Sequence, residues 1–350
     1  MMYHEGPIEQ SIRRICEEDT SGYYRPLRAV DEAKALGYTP LIYWIVGARR
    51  IGKTDFFLHL ACRVFQDHGI QTMWLRNKDV ELSEPGFYSD FLNDAKSLGW
   101  CSEDWTCDNR GVFDSDGNQV IKWQALSTFS NRRGAAHPDV FMMVYDEFCP
   151  EDRRYPKHAL KALMSLSKTV LAGKKDARIF CLSNIISLAN PFFAGLQIYP
   201  GDEQITHYPD KAMLIEKCRG YRCSIDEGNP WQAVYKAARY GDYADESEDS
   251  LINLCRKLPK RVKPLSFGIL INGQVYLPYD TKEAIHWTLC TGQPPYGTQI
   301  YAADITEVSD RIPIMPNFIR KNIEQCVESD AIRFDSPNTL FSIMSMVYNV

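Results

Sequence analysis

The stretch Leu41-Ile-Tyr-Trp-Ile-Val-Gly-Ala-Arg-Arg-Ile-Gly-Lys-Thr54 decides the fold. It opens on an apolar run rich in β-branched and aromatic side chains, the pattern of a parallel strand buried on both faces. Gly47-Ala48-Arg49-Arg50-Ile51-Gly52-Lys53-Thr54 then satisfies G-x-x-x-x-G-K-[ST]. The glycines let the backbone wrap closely around phosphate, and amides at a helix start donate to it. In this reading Lys53 bridges the β- and γ-phosphates and Thr54 ligates Mg²⁺. Residues from Lys53 to Phe65 read as the helix that must follow. Gly69 closes it, and Thr72 to Arg76 is the next strand. Strand, loop, helix and strand in that order begin an α/β sheet.

A second motif stands downstream. Val140-Phe-Met-Met-Val-Tyr145 is another buried strand, and it ends in Asp146-Glu147. An acid at the C-terminal end of such a strand lies beside the phosphate loop, so Asp146 is assigned to the Mg²⁺ shell. Glu147 is assigned as the general base that polarises the attacking water. Alone, an Asp-Glu pair after a strand is a helix start. Paired with an upstream phosphate loop, it reads as catalytic. Ile179 to Ser183 is a further strand, and Asn184 at its end is placed to contact the γ-phosphate or the water. A GTPase is excluded, because Asn77-Lys78-Asp79-Val80 carries its Asp one place too early for a guanine-reading motif.

Outward from these motifs, strands and helices alternate over residues 41–200, which implies one mostly parallel sheet with helices on both faces. Asp116-Gly117 marks a hairpin within residues 111–126. Leu160, Leu163, Met164, Leu166, Val170 and Leu171 recur at helical spacing. The first forty residues read as a helical lead-in. After residue 206 the pattern changes. The boundaries expected are an α/β domain over 1–205, a helical linker over 206–258, and a small α+β domain over 259–350. The last contains a hairpin around Asn272-Gly273, a strand at Ile300 to Ala303 and a helix over 316–327. Its Asp280-Thr-Lys-Glu reads as a helix N-cap with a capping box.

The 350 residues exceed one ordinary core, and 45% apolar with 24% charged residues are ordinary globular values. No apolar run spans a bilayer and no leader pattern opens the chain, so the reading is cytosolic, unprocessed and without a membrane partner. The eleven cysteines are scattered, without the paired spacing of a zinc site. A net charge of −5 excludes a polycation, so a nucleic-acid partner would need local basic patches. Arg256, Lys257, Lys260, Arg261 and Lys263 form the strongest such patch, directly after the acidic stretch from Asp242 to Asp249.

Ile45-Val-Gly-Ala-Arg-Arg-Ile-Gly-Lys-Thr54, Val144-Tyr-Asp-Glu-Phe148 and Cys181-Leu-Ser-Asn184 with Asn190-Pro-Phe-Phe193 resemble the DNA-packaging ATPases of phi29-like tailed phages. The similarity in order and spacing runs over about residues 41–200, and Ile332-Arg-Phe-Asp335 is its main trace beyond them. The resemblance implies an additional-strand, glutamate-class P-loop ATPase fold followed by a domain related to degenerate RNase H-like nucleases. It implies ATP and Mg²⁺ as cofactors and a homopentameric ring in the host cytoplasm, docked transiently at the procapsid portal to drive in double-stranded DNA. It leaves open whether a packaging RNA joins the ring. By position it maps Lys53, Thr54, Asp146, Glu147 and Asn184 onto the family's nucleotide roles. The trans-acting finger falls at Ala172, so Lys174, Lys175 and Arg178 become its candidates. Arg133 maps to a basic position that reaches a neighbour's nucleotide, and Arg76 and Lys78 map to the loop that faces DNA. The competing readings are another ring-forming translocase or helicase, a terminase with an active nuclease, and a P-loop scaffold with little turnover.

Overall fold

The computed structural model describes residues 3–82, 85–128, 137–150, 154–184, 189–201, 203–222 and 254–349. They fall into two compact units. The first takes the described residues of 1–150, 161–186 and 199–247, the second those of 151–160, 187–198 and 248–350.

In the first unit, helices α1 (Pro7–Glu18) and α2 (Leu27–Ala35) lead into strand β1 (Ile42–Gly47) and helix α3 (Lys53–His68). There follow β2 (Gln71–Arg76), α4 (Pro85–Ser97), β3 (Thr106–Asp108), β4 (Gly111–Phe113), β5 (Gln119–Ala125) and β6 (Val140–Asp146). Helix α5 (Ala159–Leu171), β7 (Arg178–Ser183), β8 (Ile205–Tyr208) and β9 (Met213–Cys218) complete the series. The nine strands form one sheet in the order β3-β4-β5-β2-β6-β7-β1-β9-β8. Strands β5, β2, β6, β7, β1 and β9 run parallel, and antiparallel strands finish both edges. The phosphate-loop strand β1 and the Asp146 strand β6 are separated by β7, which is the additional-strand arrangement.

Parallel strands must be covered on both faces, and β1 is buried along its whole length. One face sends Tyr43, Ile45, Phe180 and Leu182 into a core shared with α1, α3 and α4. Trp44, Met143, Tyr145 and Cys181 alternate to the other face and are equally buried. Aromatic rings tie the first core together, with Trp74, Phe91 and Trp123 meeting edge to face at 4.9 and 5.0 Å. Arg178 joins β7 to α1 through a fully buried ion pair, Nε to Glu9 Oε1 at 2.5 Å.

The expected domain boundary at 205 is corrected by the sheet. Residues 205–208 and 213–218 are strands, and β9 pairs with β1 along its whole length, Ile42 opposite Met213 through Gly47 opposite Cys218. Glu216 and Lys217 make this segment look polar, but both are buried. The remainder of the expected helical linker, residues 223–253, lies outside the described residues. Residues 256–263 are exposed or half-buried coil rather than helix.

The second unit contains α6 (Pro191–Leu196), β10 (Phe267–Ile271), β11 (Gln274–Asp280), β12 (Ile285–Leu289) and β13 (Gln299–Ala302). It closes with α7 (Asn317–Glu328), β14 (Ile332–Phe334) and α8 (Pro337–Tyr348). The sheet order is β13-β10-β11-β12-β14. The hairpin turns at Asn272 and Gly273 with φ of 52° and 75°, the left-handed pair that Asn-Gly tolerates. Asp280 does not cap a helix. It is the last residue of β11, and Thr281 bonds to Ala284 in a tight turn into β12. The alternating apolar residues after the turn outweigh the local capping pattern.

Candidate functional site

The register of the parallel strands aligns the ends that the motifs occupy. Val46 lies opposite Ser183, Leu182 opposite Asp146, and Tyr145 opposite Leu75. Gly47, Asn184, Asp146, Glu147 and Arg76 therefore stand along one edge, where open α/β sheets bind ligands.

The loop after β1 is built for close approach. A side chain at Gly47 would meet Cys218 Cβ at 2.6 Å, and Gly52 adopts φ +86°. The Lys53 ammonium is buried and donates to the carbonyls of Gly47 and Ala48 at 3.0 and 2.5 Å. The lead-in is stitched to the loop, since Tyr24 N–H donates to Ile51 O at 2.7 Å. Thr54 Oγ1 lies 3.5 Å from Asp146 Oδ1. Two oxygens of these types, one of them a buried carboxylate, fit a hard cation that takes oxygen ligands. A cavity of about 700 Å³ opens beside them, lined in part by Lys53, Thr54, Glu147 and Asn184.

Arg76 holds both acids. Its Nη2 is 3.0 Å from Asp146 Oδ2 and its Nη1 is 2.7 Å from Glu147 Oε2. Burial opposes its charge, but Asp146, Glu147 and Glu81 outweigh that and raise the guanidinium pKa above its ordinary value. Asn77 next door donates to the Glu147 carbonyl at 2.6 Å and accepts from the Tyr145 hydroxyl. Glu147 itself sits at φ 56°, a left-handed conformation uncommon outside glycine. Arg76 is thus corrected from a DNA-facing loop residue to a member of the acid cluster. The sequence reading met Asn77 only in the rejected guanine-reading motif, not as a partner of the acids.

The finger candidates separate sharply. Arg178 is fully buried, paired with Glu9 and bonded to the carbonyls of Lys175 and Ala177. Lys174 donates to the carbonyls of His137 and Val140 at 2.6 and 2.8 Å and lies over the Phe141 ring. Both side chains are engaged within their own chain. Lys175 is exposed. Arg133 lies outside the described residues. Lys78 is half-buried, whereas Arg256, Lys257, Lys260, Arg261 and Lys263 are all exposed.

The sheet order and the residues at its edge define a P-loop NTPase-type α/β protein. The chain belongs to the podovirus DNA encapsidation protein (Gp16) family, whose model matches residues 18–222. It is 23% identical over 314 residues to the DNA packaging protein of Bacillus phage phi29, covering 86% of this chain and 88% of that one. With the DNA packaging protein of Bacillus phage B103 it shares 25% identity over 302 residues, 82% and 88% of the two chains. Among solved structures, it resembles the Phi-28 gp11 DNA packaging motor with a TM-score of 0.65, at 15% identity, over 95% of this chain and 99% of that one. The bacteriophage Phi-29 viral genome packaging motor assembly follows at 0.59 and 21% identity, over 93% and 100%. No helix among the described residues is long and apolar enough to cross a membrane.

Proposed function

We propose that this chain is the ATP-hydrolysing subunit of a phage genome-packaging motor, which couples turnover to movement of double-stranded DNA into a procapsid. The observation that carries the chemistry is the 3.5 Å approach of Thr54 Oγ1 to Asp146 Oδ1 beside the buried Lys53 ammonium. Family membership and the names of the relatives support packaging as the task.

The roles follow from position. Lys53 exchanges its carbonyl partners for the β- and γ-phosphates, while loop amides cradle them. Thr54 and Asp146 would hold Mg²⁺, which would supply positive charge to the phosphate oxygens. Glu147 accepts the proton of the attacking water. Its Oε2 is held by Arg76, so the guanidinium competes with water for the carboxylate, and loosening that pair sets when the base is available. Asn184, at the end of the strand between the two motifs, senses the phosphate. Lys175 is the remaining described candidate for a charge reaching a neighbour's site. The working assembly is a homo-oligomeric ring, pentameric by the resemblance, in the host cytoplasm and at the procapsid portal.

Glu147→Gln tests the reading. The amide cannot accept the proton, so turnover should fall by about 10²- to 10⁴-fold while ATP binding persists. Turnover equal to the parent's would remove Glu147 from the base role.

A further inference from the structure

The cavity beside the phosphate loop extends past what a triphosphate needs. At about 700 Å³ it has the volume of a site for a complete small ligand. Its lining continues from Tyr23, which packs against Gly52, and Phe56 in the first turn of α3 to His59, Leu98 and Trp100. The Trp100 and His59 rings lie stacked, with centroids 4.8 Å apart and 5° between their planes. His59 is on α3, and a rise of about 1.5 Å per residue puts it about 9 Å along the axis from Lys53. That is the reach of a sugar joining phosphates to a base.

The pair is held in place. Gly99 turns the chain at φ 71° after α4, and Trp100 N–H then bonds to Ala95 O at 2.9 Å. Gln66 Nε2, also from α3, donates to Trp100 O at 3.2 Å. Burial and the nearby Arg63 pull the His59 pKa down to about 4, so its ring is uncharged at neutral pH. Both rings are only half-buried. Leu98, 58% exposed, adds apolar surface to the same lining. Arg25 lines the cavity with its guanidinium over the Phe56 ring, fixed by Asp19 and by Ser21 Oγ at 2.9 Å.

We propose that the Trp100–His59 pair is the stacking platform for the base of the nucleotide whose phosphates the loop holds. The assignment rests on reading the loop as a triphosphate site. A flat, half-buried aromatic pair at this distance offers the face that any base can cover. A pair serving only to pack α3 against the segment after α4 would leave nucleotide affinity alone.

Calorimetric titration of the full chain with ATP and with inorganic tripolyphosphate, both with Mg²⁺, tests the platform. Trp100→Ala should weaken ATP binding by about 5- to 150-fold, the range of base-to-aromatic stacking. Trp100→Phe should recover most of the loss, and tripolyphosphate should bind all three proteins alike. Lys53→Ala should weaken both ligands. Parental ATP affinity in a folded Trp100→Ala protein overturns the proposal, and so does an equal loss for tripolyphosphate, which would show the ring merely shaping the loop. A parent chain that binds neither ligand overturns the phosphate-site reading itself, a separate outcome.

Discussion

Both sheets of this protein carry acids at strand ends, yet only one sheet gathers them. In the large sheet the strands that matter are parallel neighbours, so Asp146, Glu147 and Asn184 all emerge at one edge, beside Gly47 and Thr54. In the small sheet Asp280 ends β11 opposite Ile285, while Asp335 follows β14 and accepts from Leu289 N–H at 3.1 Å. Ile285 and Leu289 are the two ends of β12, about 13 Å apart at strand rise. Asp304 follows β13, on the opposite edge of the five-stranded sheet from β14, and four strand spacings separate them by about 19 Å. Two-metal nucleases need their metals about 4 Å apart, which demands acids that converge. Direction of pairing, more than the number of acids, decides which sheet brings its acids to one edge.

Several substitutions sharpen that contrast. The strongest structural effect should come from Arg178→Ala, which leaves Glu9 charged and buried without its partner. Removing one member of such a pair costs about 3–5 kcal/mol. Lys175→Ala, exposed on the same segment, should change stability by under about 0.5 kcal/mol. Denaturant midpoints check both, and a near-neutral Arg178→Ala would reopen it as an interface residue.

Glu216 shows what an acid does in mid-strand rather than at a strand end. Burial pushes its pKa up to about 7, although the Tyr24 and Tyr221 hydroxyls hydrogen-bond to it. The folded chain therefore keeps a proton that the unfolded chain releases between about pH 4.5 and 7, and stability falls as pH rises through that window. Glu216→Gln keeps an acceptor for Tyr24 and should flatten the fall, gaining at most about 3 kcal/mol at pH 8 and little at pH 4.5. Urea titrations at the two pH values decide it, and a gain of equal size at both contradicts the titration.

The smallest effect concerns DNA. Replacing Lys257, Lys260, Arg261 and Lys263 with Gln should flatten the log–log salt dependence of binding by up to about 3.6, at about 0.9 per phosphate contact. Arg76→Gln should leave the slope unchanged, because its charge is committed to Asp146 and Glu147. A slope altered by Arg76 alone would return it to a DNA-facing role.

What the sequence made legible was local. Buried runs, the glycines at 47, 52 and 69, and the Asn272-Gly273 turn specify their own conformations, so β1, α3, β6, β7 and the β10–β11 hairpin lie where the pattern puts them. What it hid was long-range. Strand β9 was masked because Glu216 and Lys217 look solvent-facing until Tyr24, distant in sequence, supplies a partner. Arg76 and Arg178 read as a DNA-facing residue and a finger candidate until the fold delivers Asp146, Glu147 and Glu9 as their partners. Asp280-Thr-Lys-Glu carries a helix-start signal that the following strand overrules. Lys53, Thr54, Asp146, Glu147 and Asn184 were readable as neighbours because their positions are tied to strand ends, which patterning does predict.

If the large sheet drives packaging and the acids of the small sheet take no part in the chemistry, one assay should separate the two sheets. The most direct measurement is ATP-dependent protection of DNA from nuclease by portal-bearing procapsids supplied with the full-length chain. The parent and an Asp280→Asn, Asp304→Asn, Asp335→Asn triple variant should protect DNA equally, and Glu147→Gln should protect none. Protection by Glu147→Gln, or its loss in a folded triple variant, would contradict the account.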